Sequence, residues 1–219
     1  VKITTQGLLF DMDGVLISSI GSVVRSWRIW TKEYGIPGWE TYEVPHGKRA
    51  IDIIRELRPD FDEAGVLAAL RKIEDIEIVD TADLKVLPGA RELLASLPPE
   101  RWSIVTSATR RLLLGRLEAA GLPIPARIIS ADDVVNGKPH PEPYMTGAKL
   151  LGFDPADCIV FEDAPAGVGA GLAAGSRVIG VLGTHTAEEL SAATWIVPSL
   201  TGVVAFNTED GLEVEFETI

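Results

Sequence analysis

Two carboxylates stand one residue apart where an apolar run ends: Asp11 and Asp13 in "LLFDMDGVL" (8–16). Other apolar runs end in a similar way. Thr106 and Ser107 follow "WSIV", Glu162 and Asp163 close the run "CIVFED", and Lys138 lies in "NGKPHPEPY" (136–144), beyond "RIIS". In open parallel sheets ligands bind outside the carboxyl ends of the strands, so these groups read as one site. Clustered carboxylates repel one another and take up protons unless a cation intervenes, and a hard, oxygen-seeking metal meets that need. Mg²⁺ is the expected ion. It takes one or two protein carboxylates, here Asp11 and Asp163, and keeps its other positions for water and a substrate phosphate.

Phosphoryl transfer asks little of a protein beyond an in-line nucleophile, placed charge and a proton donor for the leaving oxygen. The set supplies each part. Asp11 is the expected nucleophile, forming an aspartyl-phosphate, because a carboxylate attacks without first losing a proton. Asp13 is the expected acid–base, protonating the departing alkoxide and then deprotonating the water that cleaves the intermediate. Lys138 holds Asp11 and one phosphoryl oxygen, and Thr106, with Ser107, Ala108 and the backbone N–H groups there, holds the others. Each feature alone has an ordinary reading: Asp-x-Asp-Gly as a turn, Thr106 and Ser107 as a helix cap, Lys138 as a solvated loop lysine. Their order and context together are more specific.

The elements that must position these groups follow from patterning. Short β-rich runs at 7–11, 102–107, 127–130, 158–163, 177–182 and 195–198 read as strands, several of them apolar on both faces. Helical stretches such as "RRLLLGRLEAAG" separate them, so the class is α/β, a Rossmann-like, doubly wound parallel sheet. Between residues 17 and 85 the alternation stops, and helices are expected at Ile20–Tyr34, Lys48–Leu57 and Asp62–Ile78. Val23, Trp27, Trp30 and Tyr34 recur there at spacings of three and four, which predicts helix-on-helix packing. Pro88 and Gly89 mark the return. "VVAFNTEDGLEVEFETI" predicts a C-terminal hairpin about "TEDG" that extends the sheet edge.

At 219 residues, with 46% hydrophobic residues and a mean hydropathy of +0.19, the chain can bury a full core. Its formal net charge of −12 repels nucleic acid and anionic membranes, so an anionic ligand must be met by local cations or a metal. Polyanions are poor candidates as partners. The single cysteine, Cys158, sits in an apolar run and fits a reducing compartment. No stretch approaches the roughly 18 consecutive apolar residues of a membrane span, and no basic-then-apolar leader begins the chain. A cytoplasmic monomer acting on a small molecule is expected.

The ordered set "FDMDGV", "VTSAT", "GKPHPEPY" and "FEDAPAGVGAG" resembles the four motifs of the haloacid dehalogenase-like superfamily. That resemblance implies a catalytic core formed by residues 1–16 and 86–219, with a mobile helical cap, 17–85, inserted after the first strand. It implies Asp11 as nucleophile, Asp13 as acid–base and, through its backbone carbonyl, a Mg²⁺ ligand. Thr106 and Lys138 become phosphate holders, and Asp163 a metal ligand with Glu162 beside it. "HGKRAIDIIRELRPDF", "LPPERWSIVTSATR" and "GKPHPEPY" are similar to the branch that hydrolyses glycerol phosphate and 2-deoxyhexose phosphates. That branch carries His-Gly-x-Arg in its cap, matched by His46, Gly47, Lys48 and Arg49, which implies that Lys48 or Arg49 reaches the substrate when the cap closes. The plain reading of the same residues is a helix start with two exposed cations.

Two rivals share these motifs. The β-phosphoglucomutases place a histidine ten residues after the second Asp, where this chain has Val23, and that favours hydrolysis over a mutase. The dehalogenases proper lack the residue matched by Asp13. A phosphate-binding signalling module would use the same carboxylates without turnover, but would carry neither the helical insertion nor an Asp13 that speeds breakdown of the acyl phosphate. Small residues in "FEDAPAGVGAGLAAG" are read as helix-to-sheet packing rather than a phosphate cradle.

Overall fold

A computed structural model describes residues 1–219. In chain order the strands and helices are β1 (Lys2–Thr5), β2 (Gly7–Phe10), β3 (Ile17–Ser18), α1 (Ile20–Glu33), α2 (Ala50–Leu57), α3 (Glu63–Val79), β4 (Lys85–Val86) and α4 (Ala90–Ser96). They continue as β5 (Trp102–Val105), α5 (Arg110–Ala120), β6 (Ile128–Ile129), α6 (Glu142–Leu151), β7 (Cys158–Glu162), α7 (Pro165–Ala173), β8 (Arg177–Val181), β9 (Trp195–Val197), β10 (Val204–Thr208) and β11 (Gly211–Glu215).

Six strands form the central sheet in the order β6-β5-β2-β7-β8-β9, every pair parallel. Side chains alternate across a strand, so "GLLF" feeds two cores at once. Leu8 and Phe10 join Ile104, Phe161 and the α5 residues Leu113 and Leu117 on one face. Leu9 joins Val105, Val160 and the α6 and α7 residues Tyr144 and Val168 on the other. Helices therefore cover both faces, which is why β2, β5 and β7 are buried at every position. A Cβ on Gly171 of α7 would meet Val178 at 2.8 Å and Val160 at 3.3 Å, so the small residues of that helix serve close packing on the sheet. From β2 the chain builds outward through β5 and β6, then crosses to β7, β8 and β9. The strand order reverses at β2, and the carboxyl ends of β2, β5 and β7 lie side by side there.

The segment between β2 and β5 leaves the sheet and returns through a two-residue antiparallel ladder, Ile17 opposite Val86 and Ser18 opposite Lys85. Helices α1 to α3 lie between those strands and enclose their own apolar cluster around Trp27, Trp30, Ile53, Ile54, Val66 and Ile73. Trp30 stacks on Tyr34 with ring centroids 4.3 Å apart and donates its indole N–H to the Ala69 carbonyl at 2.9 Å. The expected apolar stripe of α1 is thus used for packing. Asp62 caps α3 by accepting from the Gly65 N–H at 2.8 Å.

One expectation is corrected. The C-terminal hairpin forms, but it does not extend the central sheet. Strand β11 pairs antiparallel with β1, and β1-β11-β10 is a separate three-stranded sheet. Only Gln6 separates β1 from β2, so the chain kinks out of the main sheet and leaves β1 an open edge for β11. Leu212, Val214 and Phe216 then reach the larger apolar cluster.

Candidate active site

Asp11 directly follows β2, Thr106 follows β5, and Glu162 is the last residue of β7. Lys138 enters from the loop between β6 and α6 and is buried at their centre, its side chain 1% exposed. Its Nζ donates to Asp11 Oδ1 and Glu162 Oε1, each at 2.6 Å, and to the Val105 carbonyl at 3.1 Å. Those bonds use every proton of the ammonium. Tyr144 of α6 donates its hydroxyl to Glu162 Oε1 at 2.7 Å, and Glu162 Oε2 accepts from the N–H groups of Asp163 at 3.0 Å and Ala164 at 3.2 Å. Glu162 is saturated by protein donors. Asp163 differs: its hydrogen bonds run through its backbone, and it lines the neighbouring cavity.

The electrostatics favour an additional cation. Burial pushes the Asp11 carboxyl up to about 7 against the pull of Lys138, with Glu162 adding to the rise. Burial, then Glu162 and Asp11, hold the Asp163 carboxyl well above the usual carboxylate range. Burial alone would lower Lys138, but Asp11 and Glu162 outweigh it and keep the ammonium charged above its ordinary value. Asp11, Glu162 and Asp163 bring ligand oxygens within 4.8 Å of one another. Three carboxylates around one ammonium leave excess negative charge, and an all-oxygen donor set of this kind fits a hard divalent ion. Gly14 makes the approach possible: its φ is +90°, and a Cβ there would lie 1.9 Å from Asp163 Oδ2.

The Asp13 carboxylate is outside that cluster. Its Oδ1 accepts from Ser19 Oγ at 2.6 Å and its Oδ2 from Arg116 at 2.8 Å. Arg116, on α5, also donates to Glu77 Oε2 of α3 at 3.1 Å. Burial pushes Glu77 up to about 7, opposed by Arg116. Thr106 Oγ1 accepts from the Ala108 N–H at 3.1 Å, and Ser107 Oγ donates to the Gly47 carbonyl at 2.6 Å, reaching from the sheet side to the helical insertion.

A cavity of about 110 Å³ opens between the strand ends and the insertion. Asp11, Asp13, Thr106, Ser107, Ala108 and Asp163 form its floor, and Val23, Trp27, His46, Lys48 and Glu77 belong to its other wall. The His46 and His185 rings meet edge to face, 5.8 Å apart, and His185 Nδ1 lies 2.9 Å from the Asp163 carbonyl oxygen. Lys48 lines the cavity while its Nζ pairs with Glu56. Arg49 does not line it. Its guanidinium grips Asp52 at 2.7 and 2.9 Å and donates to the Val134 carbonyl at 3.1 Å, which uses three of its five N–H donors. In this structure Arg49 links the insertion to the loop that carries Lys138.

Residues 5–175 match the family described as haloacid dehalogenase-like hydrolase. The chain belongs to that family. Over 208 residues, 94% of this chain and 96% of the other, it is 38% identical to hexitol phosphatase A of Escherichia coli. It is 37% identical over 202 residues to glycerol-1-phosphate phosphohydrolase 2 of Saccharomyces cerevisiae, covering 87% of this chain and 80% of that one. A crystal structure of β-phosphoglucomutase from Clostridium difficile shares the fold, with a TM-score of 0.74 and 22% identity over 90% of this chain and 92% of that chain. Haloacid dehalogenase-like hydrolases generally use Mg²⁺, in accord with the buried acidic cluster. No helix is long and apolar enough to cross a membrane.

Sequence reasoning within this hydrolase missed Ser19, Glu77, Arg116, Tyr144 and His185. Tyr144 ends the motif "GKPHPEPY", and its signal was available. Arg116 stands among leucines on the buried face of α5, and Glu77 on the buried face of α3 with Glu74, but nothing in the sequence pairs them.

Proposed function

We propose that this hydrolase removes phosphate from small polyol or sugar phosphates, using Mg²⁺ and an aspartyl-phosphate on Asp11. The observation that carries the reading is the pair of carboxylates after β2 and the different ways they are held. Asp11 is fixed by the buried Lys138 on one oxygen, and Asp13 stands beside it on the cavity floor with neutral and cationic donors. Mg²⁺, held by Asp11, Asp163 and the Asp13 backbone carbonyl, would offset the charge of the bound phosphate. Glu162 serves the site by keeping Lys138 in place.

Asp11 attacks phosphorus through the oxygen that Lys138 does not hold, the bond to the leaving oxygen breaks, and Asp13 gives that oxygen its proton. In the second half Asp13 takes a proton from the water that attacks the acyl phosphate, which frees inorganic phosphate and restores Asp11. Thr106, Ser107 and Ala108 hold the non-bridging oxygens. Residues 17–85 act as a cap on the core of 1–16 and 86–219, and His46 and Lys48 of the cap meet the leaving group. Val23 on the cavity wall, where mutases resemble one another in having histidine, supports hydrolysis over phosphate transfer between sugar hydroxyls. The names of the relatives support a polyol phosphate as the substrate class. The lone buried Cys158 fits a reducing, cytoplasmic setting.

The test is phosphate release by purified protein from glycerol 3-phosphate, hexitol phosphates, 2-deoxyglucose 6-phosphate, common hexose phosphates and β-glucose 1-phosphate, with Mg²⁺ and with chelator. Metal-dependent release concentrated on polyol or deoxysugar phosphates is the expected result. Conversion of β-glucose 1-phosphate to its 6-isomer without release would replace the phosphatase by a mutase.

A further inference from the structure

We infer that Arg116 is a positioning residue for Asp13, and that Glu77 holds Arg116 in that role when the helical insertion lies over the site. The inference rests on the phosphatase reading above. Arg116 sits on the buried face of α5 among Leu112, Leu113 and Leu117, its side chain 7% exposed. A guanidinium taken out of water needs anionic partners, and its planar fork can fix two carboxylates in defined directions. Its two partners come from different parts of the molecule. Asp13 follows β2 of the sheet, and Glu77 lies on α3 of the insertion, its side chain 6% exposed.

Asp13 is thereby held at both oxygens. Oδ2 accepts from Arg116, and Oδ1 from Ser19, the residue at which the chain enters α1. Arg116 and Asp13 both belong to the sheet side, whereas Ser19 and Glu77 belong to the insertion, so the insertion supplies one donor to the carboxylate and a brace for the other. Glu77 and Arg116 also line the cavity together with Asp13. Proton delivery to a departing alkoxide is steeply sensitive to such placement. Closing the insertion then completes the acid at the moment water is excluded from it. Lysine at position 116 would offer one charged nitrogen where two separated carboxylates need a fork.

The experiment compares two substrates whose leaving groups differ in their need for a proton. Glycerol 3-phosphate must release an alkoxide, whereas acetyl phosphate releases acetate, which departs unprotonated. The constant kcat/KM reports steps up to departure of the leaving group, so the later use of Asp13 as a base does not enter. Arg116→Met is expected to lose on the order of 100-fold in kcat/KM on glycerol 3-phosphate and to stay within about threefold on acetyl phosphate. Arg116→Lys should show the same selectivity, partly rescued. Glu77→Gln keeps the shape and an acceptor oxygen, and is expected to move the ratio of the two constants in the same direction by about tenfold.

Equal losses on both substrates, or none, in variants that still melt cooperatively would reduce Arg116 to a structural residue and overturn the inference. Should Arg116→Met fail to fold, the lysine and Gln variants carry the test, and an unchanged ratio in both overturns it. The parent reading fails separately: the unaltered protein would then release phosphate from no phosphomonoester at all.

Discussion

The strand-end cluster and the seam beneath the insertion are both dense in charge, yet they are built by opposite rules. Around Lys138 every partner belongs to the sheet side, and the donors of the ammonium and the oxygens of Glu162 are used up within it. At the seam each pair joins the sheet side to the insertion. Arg116 meets Glu77, Arg111 meets Glu74 at 3.3 Å and Asp75 at 2.6 Å, Thr109 donates to Glu74, and Arg49 donates to the Val134 carbonyl. The apolar cluster of the insertion includes no residue of the sheet's clusters. Polar contacts at such a junction exchange for water at modest net cost, whereas breaking the cluster strands charges in the interior. The first assembly is therefore locked into the interior, and the second is the one that opening of a cap, as proposed, would break and remake.

The sharpest way to break the comparison is at the nucleophile. Asp11→Asn keeps the size of the side chain and removes the attacking oxygen, and a loss on the order of 10⁴-fold or more in turnover is expected. Phosphate release near the normal rate from a folded, pure variant would refute the assignment. Lys138→Ala comes next. It leaves Asp11 and Glu162 buried without their cation, so it should cost on the order of 10²-fold in kcat and about 3–5 kcal/mol of stability. Denaturant melts and initial rates measured together check both effects. A variant that lost activity but kept its full stability would mean that the cluster is not the fixed body described above.

The strand-end cluster was legible in the sequence, and the seam was not. Asp11, Thr106, Lys138 and Glu162 could be grouped because parallel strands deliver their ends to one place, whatever the details of packing. The helices of the insertion were legible for a similar reason, since the periodicity of α1 and the Asp62 cap are local. Other features depend on how separate parts meet. Glu77 continues the buried line of Val66, Ala69 and Ile73, and Arg116 lies between Leu113 and Leu117, but no spacing says that these two charges face each other where the insertion meets the sheet side. The partner of the C-terminal hairpin is likewise set by the kink at Gln6, more than two hundred positions away in the chain.

Acidity probes the seam with a smaller effect. The folded chain holds the Glu77 proton up to about 7, against an ordinary value of 4.5, and Asp11 behaves alike from 3.8. Between those limits the folded state binds more protons than the unfolded one, so stability falls as pH rises through that window and is greatest at its acid end. For Glu77 alone the change is at most on the order of 3 kcal/mol. Melting temperatures of metal-free protein should decline from about pH 5 to about pH 7.5, and Glu77→Gln should flatten the slope. An unaltered slope in that variant would place the proton uptake in the strand-end cluster instead.

The smallest expected effect separates docking from recognition. Arg49 pairs with Asp52 three residues on, a local ion pair at helical spacing, and its remaining bond reaches the Val134 carbonyl of the loop that carries Lys138. Removing it by Arg49→Ala takes away a contact worth about 1 kcal/mol and loosens the seam without touching the reacting groups. KM should rise by about three- to tenfold, and by the same factor for glycerol, hexitol and hexose phosphates, because closing costs the same whatever lies beneath. A rise confined to one class of leaving group would show that the guanidinium leaves Asp52 in the complex and reads the substrate. In that event the seam would contribute specificity as well as closure, and Arg49 would join His46 and Lys48 on the cavity wall.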